Sequence, residues 1–331
     1  MKKYAAIAAS LALLACAPKT LPLPEGSDIA SAAPYRIGAD PAKGFRSPYF
    51  LMVPPGTGLR DRAVPILVYP NNSGKTDDRD SFHERRAIER AESHQGFAKA
   101  LDAVLLIPGF PRPRAHRLVY THALDRDTFI VGDPRLSRPD LQLLAMIADA
   151  RARLGRAGVR TRGKVLMAGF SAAGMFAGRF TLLHPEHVLA AAVGSPGGWP
   201  TVPAAEYRGT PLPYPVGTAD LPALSGQHID IETFCAVPKF FFMGEEDTND
   251  SVPYRDSYDP PQAETVDRLF GTTPVARWDD AEAIYRSRDC SADFRLYPGT
   301  GHKMSPAMQA DAIAFLIKAL DDAGKNQDNP I

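Results

Sequence analysis

Residues 164–177 carry the strongest chemical signal in the chain. They place Ser171 in the run Gly169-Phe170-Ser171-Ala172-Ala173-Gly174. An apolar strand pattern at 165–168 enters this run, and a small-residue helix pattern at 172–184 leaves it. A serine at so tight a strand-to-helix turn sits in a strained backbone conformation, lifted above the sheet edge. Its neighbours two before and two after must be nearly free of side chain, because strand and helix backbones approach closely there. Gly169 and Ala173 fill those positions. The turn also aims the first N–H groups of the helix, at its positive end, toward a reacting carbonyl oxygen. Serine is a poor nucleophile at its own pKa and needs a base to take its proton. Histidine does this near neutral pH, and a carboxylate holds the imidazole tautomer. The chemistry at stake is acyl transfer to a serine.

Such a serine needs a sheet to stand on. Apolar runs at 49–53, 64–69, 103–107, 165–168, 189–193, 239–243 and 294–297 read as strands. Helical patterns fall at 82–100, 139–154, 172–184 and 306–320, and in 139–154 Leu141, Leu144, Ile147 and Ala148 share a face. Apolar runs of this length separated by helices are what a parallel sheet covered on both faces requires. The expected fold class is α/β, in one large domain over 45–322, with no internal repeat.

On these residues the chain resembles the α/β-hydrolase fold. Ala173 stands where glycine is commonest in that family, and is small enough to keep the motif. The family's order is nucleophile, acid, histidine, the last two each following a late strand. The resemblance implies Asp247 as the acid, three residues after Gly244, with Asp250 as its competitor. It implies His302, in Pro298-Gly299-Thr300-Gly301-His302 after the last strand, as the general base. His184 and His187 read as surface or capping residues, and His83 and His94 lie on the charged helix. The oxyanion hole needs a second N–H from the loop Tyr69-Pro70-Asn71-Asn72-Ser73-Gly74, where most relatives have His-Gly. By position Asn72 pairs with Ala172, and Asn71 is the alternative. The stretch 165–200 is similar to the secreted esterase branch that contains polyhydroxyalkanoate depolymerases and feruloyl esterases. That makes a polymeric ester an expected substrate class, which the fold alone does not fix.

Three long segments, 108–139, 195–238 and 253–274, leave the carboxyl ends of strands, where ligands bind in open α/β sheets. They hold 17 of the 31 prolines, and proline stiffens a loop by limiting its unfolded alternatives. They read as rigid Pro-rich loops over the active site, forming a binding wall. Phe170 and Trp199 are wall candidates, with a buried packing role the alternative for Trp199. Arg112, Arg114 and Arg117 are cations for an anionic substrate or, by the commoner rule, solvated surface arginines. Cys235 and Cys290 each lie four residues before a late strand run, and in this fold those strands are neighbours. Equal offsets predict a disulfide, with two buried thiols the alternative.

The chain has 331 residues, with 38 Lys+Arg against 38 Asp+Glu. That balance argues against nucleic acid as a main partner. Lys2 and Lys3 precede an apolar run too short to span a membrane, as in a secretory signal peptide over 1–15. The run ends in Leu13-Leu14-Ala15-Cys16, which resembles a bacterial lipobox. The expectation is export with lipid on Cys16 and a membrane as partner. The alternative is a plain secreted protein that discards Cys16. Removing 1–15 leaves two more acids than bases. Residues 16–44, rich in Pro, Ala, Ser and Gly, read as a tether with some chain wrapping onto the domain, and 323–331 as a polar tail. No HExxH, cysteine cluster or phosphate loop is present, so no metal or organic cofactor is expected. The expected function is an exported serine hydrolase cleaving a carboxylic ester through an acyl-enzyme. A serine peptidase on the same residues and a non-catalytic surface lipoprotein of the same fold are the rivals.

Overall fold

Short apolar runs pair into a central sheet, and their burial shows how each is covered. The structure is a computed structural model and describes residues 20–21, 29–55, 62–71 and 74–328. The strands are β1 (Tyr35–Ile37), β2 (Tyr49–Met52), β3 (Ile66–Val68), β4 (Val104–Pro108), β5 (Val165–Phe170) and β6 (Val188–Gly194), then β7 (Glu206–Tyr207), β8 (Thr210–Pro211), β9 (Lys239–Gly244) and β10 (Ala292–Tyr297). Eight of them form one sheet in the order β1-β2-β4-β3-β5-β6-β9-β10. From β4 to β10 neighbours run parallel, while β1 and β2 are antiparallel at one edge. The ribbon β7–β8 stands apart.

Side chains alternate between two apolar layers because a strand has a period of two. Val104 and Leu106 of β4 join the layer that packs on helices Pro139–Arg156 and Ala172–Leu183. Leu105 and Ile107 join the layer under helices Asp80–Ser93, Gln95–Ala100 and Pro306–Asp328. The edge strand β10 instead alternates between half-buried and exposed positions until it ends on buried Tyr297.

Several expectations change in detail. On helix Pro139–Arg156 the core face is Leu143, Met146, Ile147, Ala150 and Leu154, while Leu141 is 42% exposed. Adjacent leucines fit two helical faces equally well by spacing, and the neighbours decide between them. The segment expected as a tether contributes β1, and the Tyr35 hydroxyl donates to the carbonyl of buried Ile29 (2.8 Å). Within 253–274 a helix runs from Pro260 to Phe270, opened by a capping box between Asp259 and Gln262. Proline suits the first helical position, where its missing N–H costs nothing, so Pro260 starts a helix rather than stiffening a loop. Helix Trp278–Ser287 follows it, and the last helix reaches Asp328.

Cys235 and Cys290 form a disulfide across the start of β9 and β10, with their Cα atoms 4.0 Å apart. The equal offsets expected from the sequence do not hold, since β10 begins at Ala292 and pairs it with Lys239. Cys235 lies on the one-turn helix Ile231–Ala236, and a helix rises only ~1.5 Å per residue. Four residues there cover the distance that two extended residues cover before β10.

Candidate active site

Ser171 follows β5 and precedes helix Ala172–Leu183 with φ 62° and ψ −129°. Few non-glycine residues adopt that conformation, and it is held from both sides. The Ser171 N–H donates to the Gly194 carbonyl of β6 (2.9 Å), and its own carbonyl accepts from Met175 N–H (2.9 Å). A Cβ on Gly169 would lie 2.1 Å from the Ala173 carbonyl oxygen, and one on Gly174 would lie 2.3 Å from the Gly194 oxygen. The two strict glycines therefore sit two before and three after the serine. Ala173 carries its methyl into the opposite layer, buried beside Leu166 and Ala168, which explains why alanine is accepted there.

Three side chains expected from the sequence meet at the carboxyl ends of the strands. His302 Nε2 lies 3.0 Å from Ser171 Oγ. His302 Nδ1 lies 2.9 Å from Asp247 Oδ2 and 3.1 Å from Oδ1. The loops that carry acid and histidine are bound to each other by backbone. Glu245 N–H donates to the Tyr297 carbonyl (3.0 Å) and Glu246 N–H to that of Thr300 (2.9 Å). Gly244 allows this approach, since a Cβ there would be 2.0 Å from the Thr300 oxygen. Burial pushes the Asp247 pKa up, but the His302 contact and the Asn249 N–H (2.9 Å) outweigh it and hold the carboxyl below its ordinary value. Asp250 is engaged elsewhere, accepting from Arg277 Nη1 and from Val252 N–H, each at 2.9 Å.

The other histidines do not reach the serine. His184, expected as a surface or capping residue, caps the end of helix Ala172–Leu183 and is buried, with Nε2 3.0 Å from Asp140 Oδ2. His83 is also buried, with Nε2 2.8 Å from the Asp77 carbonyl oxygen.

Ala172 is the first residue of its helix, so its N–H has no helical carbonyl to donate to. Asn72 lies outside the described residues. The Asn71 side chain turns inward, with Nδ2 donating to the Phe110 carbonyl (3.1 Å) and lying 3.0 Å from His122 Nε2.

A cavity of about 660 Å³ opens at Ser171 and His302. Phe170 lines it, with its ring centroid 5.1 Å from that of His302. Tyr69, His94 and Phe97 form an aromatic wall, and the His94 ring stands 4.1 Å from that of Tyr69. Burial, helped by the Arg90 charge, lowers the His94 pKa to about 4, so that ring is neutral at pH 7. None of the lining residues comes from 108–139, 195–238 or 253–274. Those segments pack against the body. Trp199 is 1% exposed, donates to the Val216 carbonyl (2.8 Å) and stacks on Phe270 at 4.2 Å. It is a packing residue away from the cavity. Arg112 is buried rather than solvated, ion-paired with Asp256 and lying 3.5 Å over the Tyr120 ring. Arg114 is exposed and donates its N–H to Asp78.

Sequence reasoning missed the cations that do line the cavity: Lys75, Arg86, Arg90 and Lys303. Their lines of sequence read as ordinary solvated charge. The only available signal was Lys303 standing next to the expected base. Among the described residues, no group of three or more His, Cys, Asp or Glu is placed to hold a metal ion, and no helix is long and apolar enough to cross a membrane.

No protein-family model matches the chain, and no curated protein sequence does. Solved structures do match. The structure is similar to poly(aspartic acid) hydrolase-1 from Sphingomonas sp. KT-1, with a TM-score of 0.58 at 18% identity, over 86% of this chain and 97% of that one. It is similar to a poly(3-hydroxybutyrate) depolymerase from Bordetella parapertussis, with a TM-score of 0.55 at 19% identity, over 89% of this chain and 91% of that one. With its mostly parallel eight-stranded sheet, its helices on both faces and these structural neighbours, the chain has the α/β-hydrolase fold.

Proposed function

We propose that the protein is a serine hydrolase that cleaves a carboxylic ester through an acyl-enzyme. The observation that carries the reading is the unbroken line from Ser171 Oγ through His302 to Asp247, with contacts of 3.0 and 2.9 Å. In the proposed cycle His302 Nε2 accepts the proton as Ser171 Oγ attacks the ester carbonyl. Asp247 holds the Nδ1–H tautomer and stabilises the imidazolium. The Ala172 N–H faces the developing oxyanion, with a second donor from the loop after β3. His302 then returns the proton to the leaving alcohol. Water, activated the same way, releases the acid.

The names of the two structural neighbours, one acting on poly(aspartic acid) and one on poly(3-hydroxybutyrate), support an oligomeric or polymeric substrate. The test is hydrolysis of short and long p-nitrophenyl esters beside Ser171→Ala. The wild type is expected to turn over at least one ester and to take a fluorophosphonate label. The variant is expected to do neither. No activity on any ester, with Ser171 unlabelled, overturns the reading.

Export with lipid on Cys16 belongs to the same proposal. It is supported by the leader pattern of residues 1–16 and by the disulfide, since such bridges persist in oxidising compartments. Growth of a bacterial host on an alkynyl fatty acid is expected to label the wild type and not Cys16→Ala. A wild type without label leaves a plain secreted protein.

A further inference from the structure

The cavity at Ser171 differs from the rest of the surface in charge. The chain as a whole has equal numbers of acids and bases, yet the charged residues that line this cavity beside His94 and His302 are all cations. They are Lys75, Arg86, Arg90 and Lys303, and no carboxylate lines the cavity among the described residues. They come from three separate places: the segment before helix Asp80–Ser93, that helix itself, and the residue after the base.

Their settings differ. Arg90 is half-buried with its guanidinium 5.8 Å from the Tyr69 ring centroid, inside the aromatic wall. Its charge contributes to lowering the neighbouring His94 pKa, so its field reaches into the cavity. Arg86 is exposed and shares its charge with Glu89 at 2.6 Å. Lys75 and Lys303 are exposed at the mouth. The Lys303 N–H donates to the Gly301 carbonyl (2.8 Å), which keeps the lysine on the same tight turn as His302. A cleft lined by one sign of charge with low-dielectric walls concentrates ligands of the other sign.

We propose that the substrate is a carboxylate-bearing ester, seated with its apolar part against Tyr69, Phe97 and Phe170 and its anionic group toward Arg90, Lys75 and Lys303. The inference rests on the hydrolase reading and names the substrate class for that site. A neutral polyester would find the same aromatic wall but would gain nothing from the four cations.

The test compares each anionic ester with its own methyl ester. On the acyl side the pair is 4-nitrophenyl hydrogen adipate and methyl 4-nitrophenyl adipate. On the alcohol side it is 4-(carboxymethyl)phenyl acetate and its methyl ester. At ~10 mM ionic strength, where charges act over ~30 Å, the anionic member of at least one pair is expected to have about tenfold higher kcat/KM. The ratio is expected to fall toward one as salt approaches ~1 M, where the range is ~3 Å. Lys303→Glu combined with Lys75→Glu is expected to bring the ratio to one or below. A ratio of one or less in both pairs at low salt, while the methyl esters are hydrolysed and Ser171 takes the fluorophosphonate label, overturns the charge proposal alone. Absence of both hydrolysis and label overturns the hydrolase reading and this proposal with it.

Discussion

Asp247 holds a charge where charge is costly. Burial raises its pKa, and the His302 contact and the Asn249 N–H bring it back below the ordinary value of 3.8. Its folded-state pKa is therefore the lower one. The contact adds stability above the unfolded value, and that stability is lost as pH falls through the folded one. Asp247→Asn is expected to lower kcat on the order of 10⁴-fold, because the amide favours the wrong imidazole tautomer. Asp250→Asn is expected to leave kcat in place at moderate temperature and to lower the thermal midpoint, since buried Arg277 loses a charged partner at roughly 1–3 kcal/mol. Esterase kinetics beside thermal unfolding for both variants separate the roles, and a larger kcat loss in the Asp250 variant would reverse the assignment. Ser171, Asp247 and His302 were legible because each stands just past a strand, in a turn marked by glycines. The cations of the cavity were not. Lys75, Arg90 and Lys303 come from distant segments, and only the folded chain brings them to one mouth.

At the scale of elements, the contact between β5, β6 and helix Ala172–Leu183 sets the site. Gly169 and Gly174 let three backbones touch, so the strain at Ser171 is held by geometry on both sides. Gly174→Ala places a methyl 2.3 Å from the Gly194 oxygen. It is expected to abolish activity together with folding, or to cost more than the ~1–3 kcal/mol of ordinary overpacking. Ala173→Gly is expected to keep the elbow and to cost about 1 kcal/mol in helix propensity. Circular dichroism melts and fluorophosphonate labelling of both variants check this. The reverse order would place the strict glycine where the sequence pattern put it, two after the serine. Seven strands of the main sheet were legible from their apolar runs, and so was the helix after Ser171, whereas the short β1, β7 and β8 carry no such run. Helix Pro260–Phe270 was not, because its two opening prolines look like loop residues until Asp259 and Gln262 are seen to cap it.

Over the whole molecule, the disulfide lies at the end of β9 and β10 opposite to the loops that carry Asp247 and His302. It closes a loop of 55 residues, worth on the order of 4 kcal/mol in unfolded-chain entropy. Cys290→Ser is expected to lower the urea midpoint and to raise the m-value, because the unfolded chain loses a cross-link and exposes more surface, and an unaltered midpoint would remove that contribution. The pairing was legible once β9 and β10 were taken as neighbours, although the register was not, because a helical turn before β9 shortens the path. The Pro-rich segments were legible as ordered chain, but their packing against the body shows only in three dimensions. The ring closed by the bridge encloses Asp247 and leaves Ser171 and His302 outside it. A single proteolytic nick anywhere between 236 and 289 therefore sheds nothing. The two pieces stay one covalent molecule, migrating as one band until a reductant parts them, and Asp247 stays tethered to His302.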